Sequence, residues 1–525
     1  MQPKPSFEKY NELITYIRNG FIQIPQFQRD FVWSIEDTAR LIDSILKGYP
    51  VGTFILWKTN ERLKSVKEIG NIELPETPDG DPVQYVIDGQ QRLASLFVVL
   101  NGSTIQRNNK TIDYKKIYVD LDKDMDNDES IITTETPENN WITVYDLLQN
   151  DPVHIVENYR EYVKKIKEYY EKFTTYDFST IVLPNYPIEA AVEVFTRINT
   201  TGKELSIFEI MAAKTYDEVK EFDLMEKYKE LKNELSIVGF DTIPSSTILQ
   251  CISLNLEKSC VKKTILSLNK EDIINIWDKT TESIKAAIDY FRTFYHVPVS
   301  RLLPYNALLV LFSYFFFTNG KPNPTQEKLL QEYFWRASLS GRFSSAMDTR
   351  IGQDVKKIDA ILNNETPKYD FKTSLDKEEL INTPFRTGDS YCKSILCLLS
   401  YFGPKSFNNN GNVILDNSWL ARSNSRNYHH FFPRKYLENN SILNDNSIVN
   451  ITLVDEYLNK GRIRAKAPSE YMGEFKEVNS DLDETMKTHL IDDLEEYGIW
   501  ENNYEKFLDQ RSERIIEELQ NKIEI

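Results

Sequence analysis

Apolar residues first recur at helical spacing in SIEDTARLIDSILKG, which puts Leu41, Ile42, Ile45 and Leu46 on one face. Ser34 with Asp37 three positions on is a variant capping box that starts this helix, and Gly48 ends it. The pattern then shortens: GTFILW, QYVIDG and KIYVDL read as strands. VKKIKEYYEKF and IEAAVEVFTRI return to helical spacing, and Ser206 with Glu209 caps a further helix. Strands and helices therefore mix over residues 1–235, which we take as a first domain.

Residues 236–365 show mostly helical periodicity and no evident chemistry. Their most apolar run, Tyr305 to Phe317, has 13 residues, against about 20 needed to span a bilayer. It reads as a buried helix bracketed by Pro304 and the Asn319-Gly320 turn. From Asn363 the polar, Pro-containing NNETPKYDFKTSLDKEEL reads as a linker. A third region, 366–525, holds the Gly/Asn-rich loop GPKSFNNNGN, a basic stretch, and a charged tail in which LIDDLEEY and RIIEELQNKI have helical spacing. The predicted fold class is α+β and multidomain.

With 41% hydrophobic and 12% aromatic residues over 525 positions, the chain has enough apolar material for real cores, so a disordered protein is excluded. Four cysteines are too few for a disulfide framework or an all-cysteine zinc site. The start, MQPKPSFEKYNELI, lacks a basic stretch followed by an apolar one. The expectation is a cytoplasmic protein with no membrane partner. A net charge of −17 argues against non-specific coating of nucleic acid. Ala421 to Lys466 reverses that balance locally, with eight basic residues (Arg422, Arg426, Arg434, Lys435, Lys460, Arg462, Arg464, Lys466) against four acidic ones.

That basic segment also holds two of the five histidines, side by side in RNYHHFFPRKYL. Consecutive strand residues project to opposite faces, so His429 and His430 cannot both be casual surface residues if one face is core. Downstream, SIVNITLVDEYLNKGRIRAK supplies Asn450 and Asn459. A strand pair presenting His, followed by a helix presenting Asn, suits a one-metal phosphodiesterase: one His takes a proton from water, while polar neighbours hold a divalent ion on the phosphate. On chemistry alone, a histidine-containing hairpin with turn-forming asparagines fits equally well.

A second constellation is DGQQR. It follows the apolar strand YVI and precedes LASLFVVL. Gly89 permits a tight turn into a helix whose first N–H groups favour an anion. Arg92 can clamp phosphate, Asp88 can reach a ribose hydroxyl or metal, and Gln90 and Gln91 can orient water or base. A capped helix start explains the same residues more simply. Two other patterns are set aside. In DLDKDMDNDES, Asp122, Asp124, Asp126 and Asp128 alternate like a calcium loop, but Asn127 stands where Gly is expected and Thr133 where a bidentate Glu should be. The aromatics of LVLFSYFFF have no basic residues between them and read as core.

HHFFP, then SIVN, then Asn459-Lys460 resembles the HNH (His-Me finger) nuclease pattern. The resemblance implies that His430 is the general base, that His429 and Asn459 ligate a metal, that Asn450 braces the loop of a ββα unit, and that Lys460 belongs to the catalytic set with Arg462 and Arg464 on the strand. His429 stands where an Asp or His is usual, and imidazole suits transition metals better than Mg²⁺. IPQFQRDFVW, DSILKGYPVGTFILW, YVIDGQQRLASL and FTRINTTGKELSIFEI resemble the ParB-like N-terminal domain of GmrSD-type (type IV, modification-dependent) restriction enzymes, a layout shared with SspE- and BrxU-type phage-defence proteins. That resemblance implies a nucleotide-binding and hydrolysing motif at Asp88, Gly89, Gln90, Gln91 and Arg92, joined by Gln28 and Arg29, with Arg197 and Asn199 as further candidates.

The expectation is a ParB-like α/β domain, a helical middle and a C-terminal HNH nuclease domain with helical extensions. Its cofactors would be Mg²⁺ or Mn²⁺ and a nucleoside triphosphate; its partner, modified phage or foreign DNA. One active site nicks one strand, so a double-strand break calls for a homodimer or two events. Two rivals stay open: a nucleotide-dependent DNA-binding or signalling protein that does not cleave, and an NTPase acting on a partner protein.

Overall fold

The computed structural model describes the chain except residues 1, 27–30, 70–71, 108–109, 124–129, 136, 138–139, 199–205, 374, 418–419, 421–427, 456–462 and 524–525. It forms two compact units, Met1–Leu224 and Met225–Ile525.

The first unit is built on a mixed five-stranded sheet in the order Lys4–Lys9, Asp177–Pro184, Phe54–Thr59, Val83–Asp88, Ile22–Gln23. Asp177–Pro184 runs parallel to Phe54–Thr59, which runs antiparallel to Val83–Asp88 with a bulge at Ile55/Leu56. GTFILW and QYVIDG are thus neighbouring strands, and DGQQR leaves the sheet beside the start of Phe54–Thr59. KIYVDL supplies Tyr118–Asp120, the centre of a separate three-stranded sheet.

Helix Ile35–Leu46 buries the predicted Leu41, Ile42, Ile45 and Leu46. Its capping box is complete: the Ser34 hydroxyl accepts from Asp37 N at 3.1 Å, and Asp37 Oδ2 accepts from Ser34 N at 3.1 Å. VKKIKEYYEKF forms Val163–Thr174 and IEAAVEVFTRI forms Ile188–Ile198. The helix Ile207–Thr215 starts at the expected Ser206/Glu209 box.

In the second unit, the apolar run becomes helix Asn306–Thr318, buried from Ala307 to Phe316. Helices Ser245–Glu257, Lys270–Phe294 and Met347–Leu362 surround it. No helix among the described residues is long and apolar enough to cross a membrane. Helix Pro324–Leu339 packs on Ser390–Tyr401 and on the final helix Tyr504–Ile523, so residues 236–365 and 366–525 meet within one unit.

The tail departs from its predicted pattern. RIIEELQNKI lies in Tyr504–Ile523, but LIDDLEEY is a run of turns. Leu490 has φ +58°, and the Asp493 carboxylate accepts from Glu495 N and Glu496 N, both at 2.8 Å. These are N-cap contacts, and Tyr497 N bonds Asp493 O at 3.1 Å, so Asp493 starts a short turn in the middle of the segment and breaks it as one continuous helix.

Candidate functional site

In the first unit, the turn at Asp88-Gly89 is made by a left-handed glycine: φ is +94°, and a Cβ there would lie 2.4 Å from Phe54 Cδ1. Gly89→Ala therefore meets both backbone strain and a ring clash. We expect it to cost about 1–3 kcal/mol, seen as a lower melting temperature in circular dichroism; an unchanged melting temperature would contradict this geometry.

Helix Gln90–Leu100 follows at once, with Gln90 and Gln91 buried. Gln91 Oε1 accepts from Val32 N at 2.8 Å and Trp33 N at 3.2 Å, which fastens the end of the QRDFVW motif to DGQQR. Arg92 points back at the strand start: it donates to Val51 O at 2.7 Å, Thr53 O at 3.0 Å and Asp88 Oδ2 at 3.0 Å. Burial lowers its pKa, with Asp88 opposing that shift. A Cβ on Gly52 would sit 2.4 Å from Arg92 Nη1, so the glycine of YPVGTF makes room for this guanidinium. Arg92, the candidate phosphate clamp, thus ties three motifs together around Asp88. Gln28, Arg29 and Asn199 lie outside the described residues. Arg197 is exposed and paired with Glu193 at 2.5 Å. Of the calcium-like run, Asp122 accepts from Tyr162 Oη at 2.6 Å; Asp124, Asp126 and Asp128 lie outside the described residues.

In the second unit, Tyr428–His430 pairs antiparallel with Ile451–Leu453, setting His429 opposite Thr452 and His430 opposite Ile451. A short helix, Arg434–Asn439, follows the first strand. Asn450 is fully buried and holds the intervening loop from both sides: Oδ1 accepts from Phe432 N at 2.8 Å, and Nδ2 donates to Phe432 O at 2.9 Å. Tyr471 Oη donates to Phe431 O at 2.5 Å. The loop after HH is thus fixed residue by residue.

His430 is half-buried, and its Nε2 lies 2.9 Å from Asn446 Oδ1. Asn446 Nδ2 donates to Phe385 O at 3.2 Å, so its oxygen is the end that faces the ring. Nε2 therefore carries the hydrogen and Nδ1 keeps its lone pair. Burial pushes the imidazole pKa below its ordinary value, and the contact with Asn446 opposes the shift. The ring is neutral at pH 7, as a proton acceptor must be.

His429 is buried, with its ring edge-on to Tyr471. Asn459, Lys460, Arg462, Arg422 and Arg426 lie outside the described residues, as do residues 456–462 as a whole, where the resemblance expects the α of ββα. No three His, Cys, Asp or Glu side chains come together as a metal cage among the described residues. An imidazole with one amide suits an ion that keeps water and phosphate as its other ligands; it does not suit a closed protein cage. The basic stretch is partly neutralised, since Arg434 pairs with Asp445 at 2.5 Å and Lys466 pairs with Glu474.

Asn446 and Arg511 were missed from sequence, and His489 reads from sequence only as a surface or satisfied polar residue. Asn446 stands four positions before Asn450 in the Asn-rich NDNSIVN and had no distinguishing mark. His489 is buried, with Nδ1 2.6 Å from Thr452 Oγ1 and Nε2 2.7 Å from Lys405 O. Arg511 is fully buried and donates to Val449 O at 2.5 Å, Ile451 O at 2.8 Å and His489 O at 2.9 Å. It carried a signal: an arginine on the apolar stripe of Phe507, Leu508, Ile515 and Leu519.

Two comparisons bear on these sites. The uncharacterized protein MJ0686 of Methanocaldococcus jannaschii is 23% identical over 585 aligned residues that cover 97% of each chain. Residues 10–216, within which DGQQR falls, match the family described as GmrSD restriction endonuclease, N-terminal domain. By sequence, then, the first unit is similar to the N-terminal domain of GmrSD restriction endonucleases, and the hairpin of the second unit lies outside that match.

Proposed function

We propose that this chain is a modification-dependent DNA endonuclease of the phage-defence kind, in which an N-terminal nucleotide-binding unit gates a C-terminal one-metal HNH nuclease. The observation that carries the nuclease reading is the His430–Asn446 pair at 2.9 Å, because it turns Nε2 to the amide oxygen and leaves Nδ1 of a neutral imidazole as the proton acceptor.

His430 takes the proton of the attacking water. Asn446 holds the ring in the required tautomer, and Asn450 keeps the Phe431–Phe432 turn in register so that the ring stays aimed. A divalent ion held by His429 and Asn459 would supply charge neutralisation on the scissile phosphate. Lys460, Arg462 and Arg464 bind the flanking strand. In the first unit, Asp88, Gly89, Gln90 and Gln91 contact a nucleoside triphosphate together with Gln28 and Arg29, while Arg92 positions Asp88 and the Val51–Thr53 backbone. The match of residues 10–216 to a restriction-endonuclease domain supports DNA as the substrate.

Supercoiled plasmid is the direct test. The full chain with Mg²⁺ or Mn²⁺ should convert it to relaxed circle, and Asp88→Ala should lose NTP hydrolysis. NTP consumption without any relaxed circle, on any DNA, would leave a nucleotide-driven binding or signalling protein in its place.

A further inference from the structure

The polar stretch after Asn363, expected as a linker, is laid down as an extended strap. Pro367 is buried, Tyr369, Phe371 and Thr373 are half-buried, and the residues between them, Lys368, Asp370 and Lys372, are exposed. This period-2 alternation is that of a strand with one face on the protein, yet the strap pairs with no sheet strand among the described residues.

What pins it is charge. Arg342 and Lys357 are each more than nine-tenths buried and both reach the fully buried Asp354, which accepts from Arg342 at 2.8 Å, Lys357 at 2.7 Å and Tyr333 Oη at 2.8 Å. Two buried cations over one buried carboxylate leave a positive charge to be matched. Asp370 matches it from the strap: Oδ1 lies 2.7 Å from Lys357 Nζ and Oδ2 3.2 Å from Arg342 Nη1. The Phe371 ring lies against both cations, at 5.2 Å and 5.6 Å.

The strap is otherwise poorly satisfied. Among the described residues, Tyr369 Oη, Thr373 Oγ1 and Arg342 Nε are buried without a hydrogen-bond partner. A segment held by one ion-pair cluster and a few ring contacts, Tyr369 over Arg336 at 5.0 Å among them, with neighbouring polar groups unmatched, is a low-cost place for local opening.

The strap leads into helix Lys377–Asn382, and this helix with residues 383–385 holds the loop that carries Asn446. Ser447 Oγ donates to Ile381 O at 2.6 Å, Ile448 N to Thr383 O at 2.9 Å, and Phe385 N to Asn446 O at 2.7 Å. Phe385 O also receives Asn446 Nδ2, the contact that turns the Asn446 oxygen toward His430.

We propose that the strap is a releasable latch: Asp370, seated on Arg342 and Lys357, holds residues 376–385 against the Asn446 loop and so sets the tautomer and aim of His430. Asp370 is a positioning residue. Its regulatory meaning rests on the nuclease reading, whereas the mechanical coupling does not.

The test uses the full chain and Asp370→Asn, which keeps shape and removes charge. Tryptic cleavage at Lys368 and Lys372 should become roughly tenfold faster. Amide hydrogen exchange should accelerate at Phe385 and Ile448 and stay unchanged in helix Asn306–Thr318. Asp370→Glu should recover part of the protection. Where nicking is measured, kcat should fall with KM unchanged. Unchanged tryptic cleavage would overturn the latch. Faster cleavage with unchanged exchange at Phe385 and Ile448 would overturn the coupling, and acceleration in Asn306–Thr318 as well would reduce Asp370 to a general stability residue. These outcomes are independent of whether DNA is cut, so failure of the nuclease reading would be seen separately.

Discussion

His430→Ala is expected to lower DNA nicking by about 10²–10⁴-fold, the range for removing a general base, while changing stability by no more than about 1 kcal/mol. The ring is half-buried and its polar contact among the described residues is to Asn446, whose other hydrogen bond, to Phe385 O, survives the substitution. Single-turnover nicking of plasmid alongside urea unfolding separates the two effects. The pH dependence follows from the same site. Burial lowers the His430 pKa, so the active, neutral form persists below the ordinary histidine value. The wild-type rate should be flat through neutral pH and fall only as pH drops through that lowered pKa. Asn446→Leu removes the contact that fixes the tautomer, and should reduce kcat without raising KM. An acid limb at or above the ordinary histidine value would contradict this assignment of the base.

Arg511→Leu should cost about 3–5 kcal/mol in urea unfolding of the second unit, the range for removing a buried charged partner. Its guanidinium is fully buried, and burial holds its pKa down to about 10. It joins three carbonyls from two stretches of chain: Val449 and Ile451 beside the second hairpin strand, and His489. Leucine would fill much of the space and leave all three oxygens without these donors. Lysine would recover only part, since an ammonium cannot reproduce the planar fork. Because Ile451 pairs with His430 across the hairpin, Arg511→Leu should also reduce nicking. An Arg511→Leu chain as stable as wild type would mean that the hairpin does not depend on this brace.

Local chemistry was the readable part of this fold. Ser34 with Asp37, and Ser206 with Glu209, are complete boxes because capping needs only residues three apart. Gly89 announced a turn because few other residues tolerate φ near +94°. The apolar helix Asn306–Thr318 was legible because its composition leaves it nowhere but the core. What failed depended on distant or competing partners. LIDDLEEY has helical spacing, but Asp493 caps a short turn in its middle and breaks it as one continuous helix. The contacts of Arg92 were not legible either, because Val51 and Thr53, some forty residues earlier, supply the carbonyls that hold it. Asn446 gains its place only when Phe385 arrives from 61 residues away. Spacing along one segment reports its own geometry; it says little about which remote carbonyl will meet a given donor.

In the proposed mechanism a nucleotide-binding unit licenses a His430-dependent nuclease. Side-by-side nicking of unmodified and heavily modified phage DNA tests it most directly, using the full chain and His430→Ala with Mg²⁺ or Mn²⁺, with and without an NTP mixture. Nicks are expected on one DNA type, altered by NTP and absent in His430→Ala. Equal nicking by wild type and His430→Ala, or none on either DNA while NTP is consumed, would contradict it.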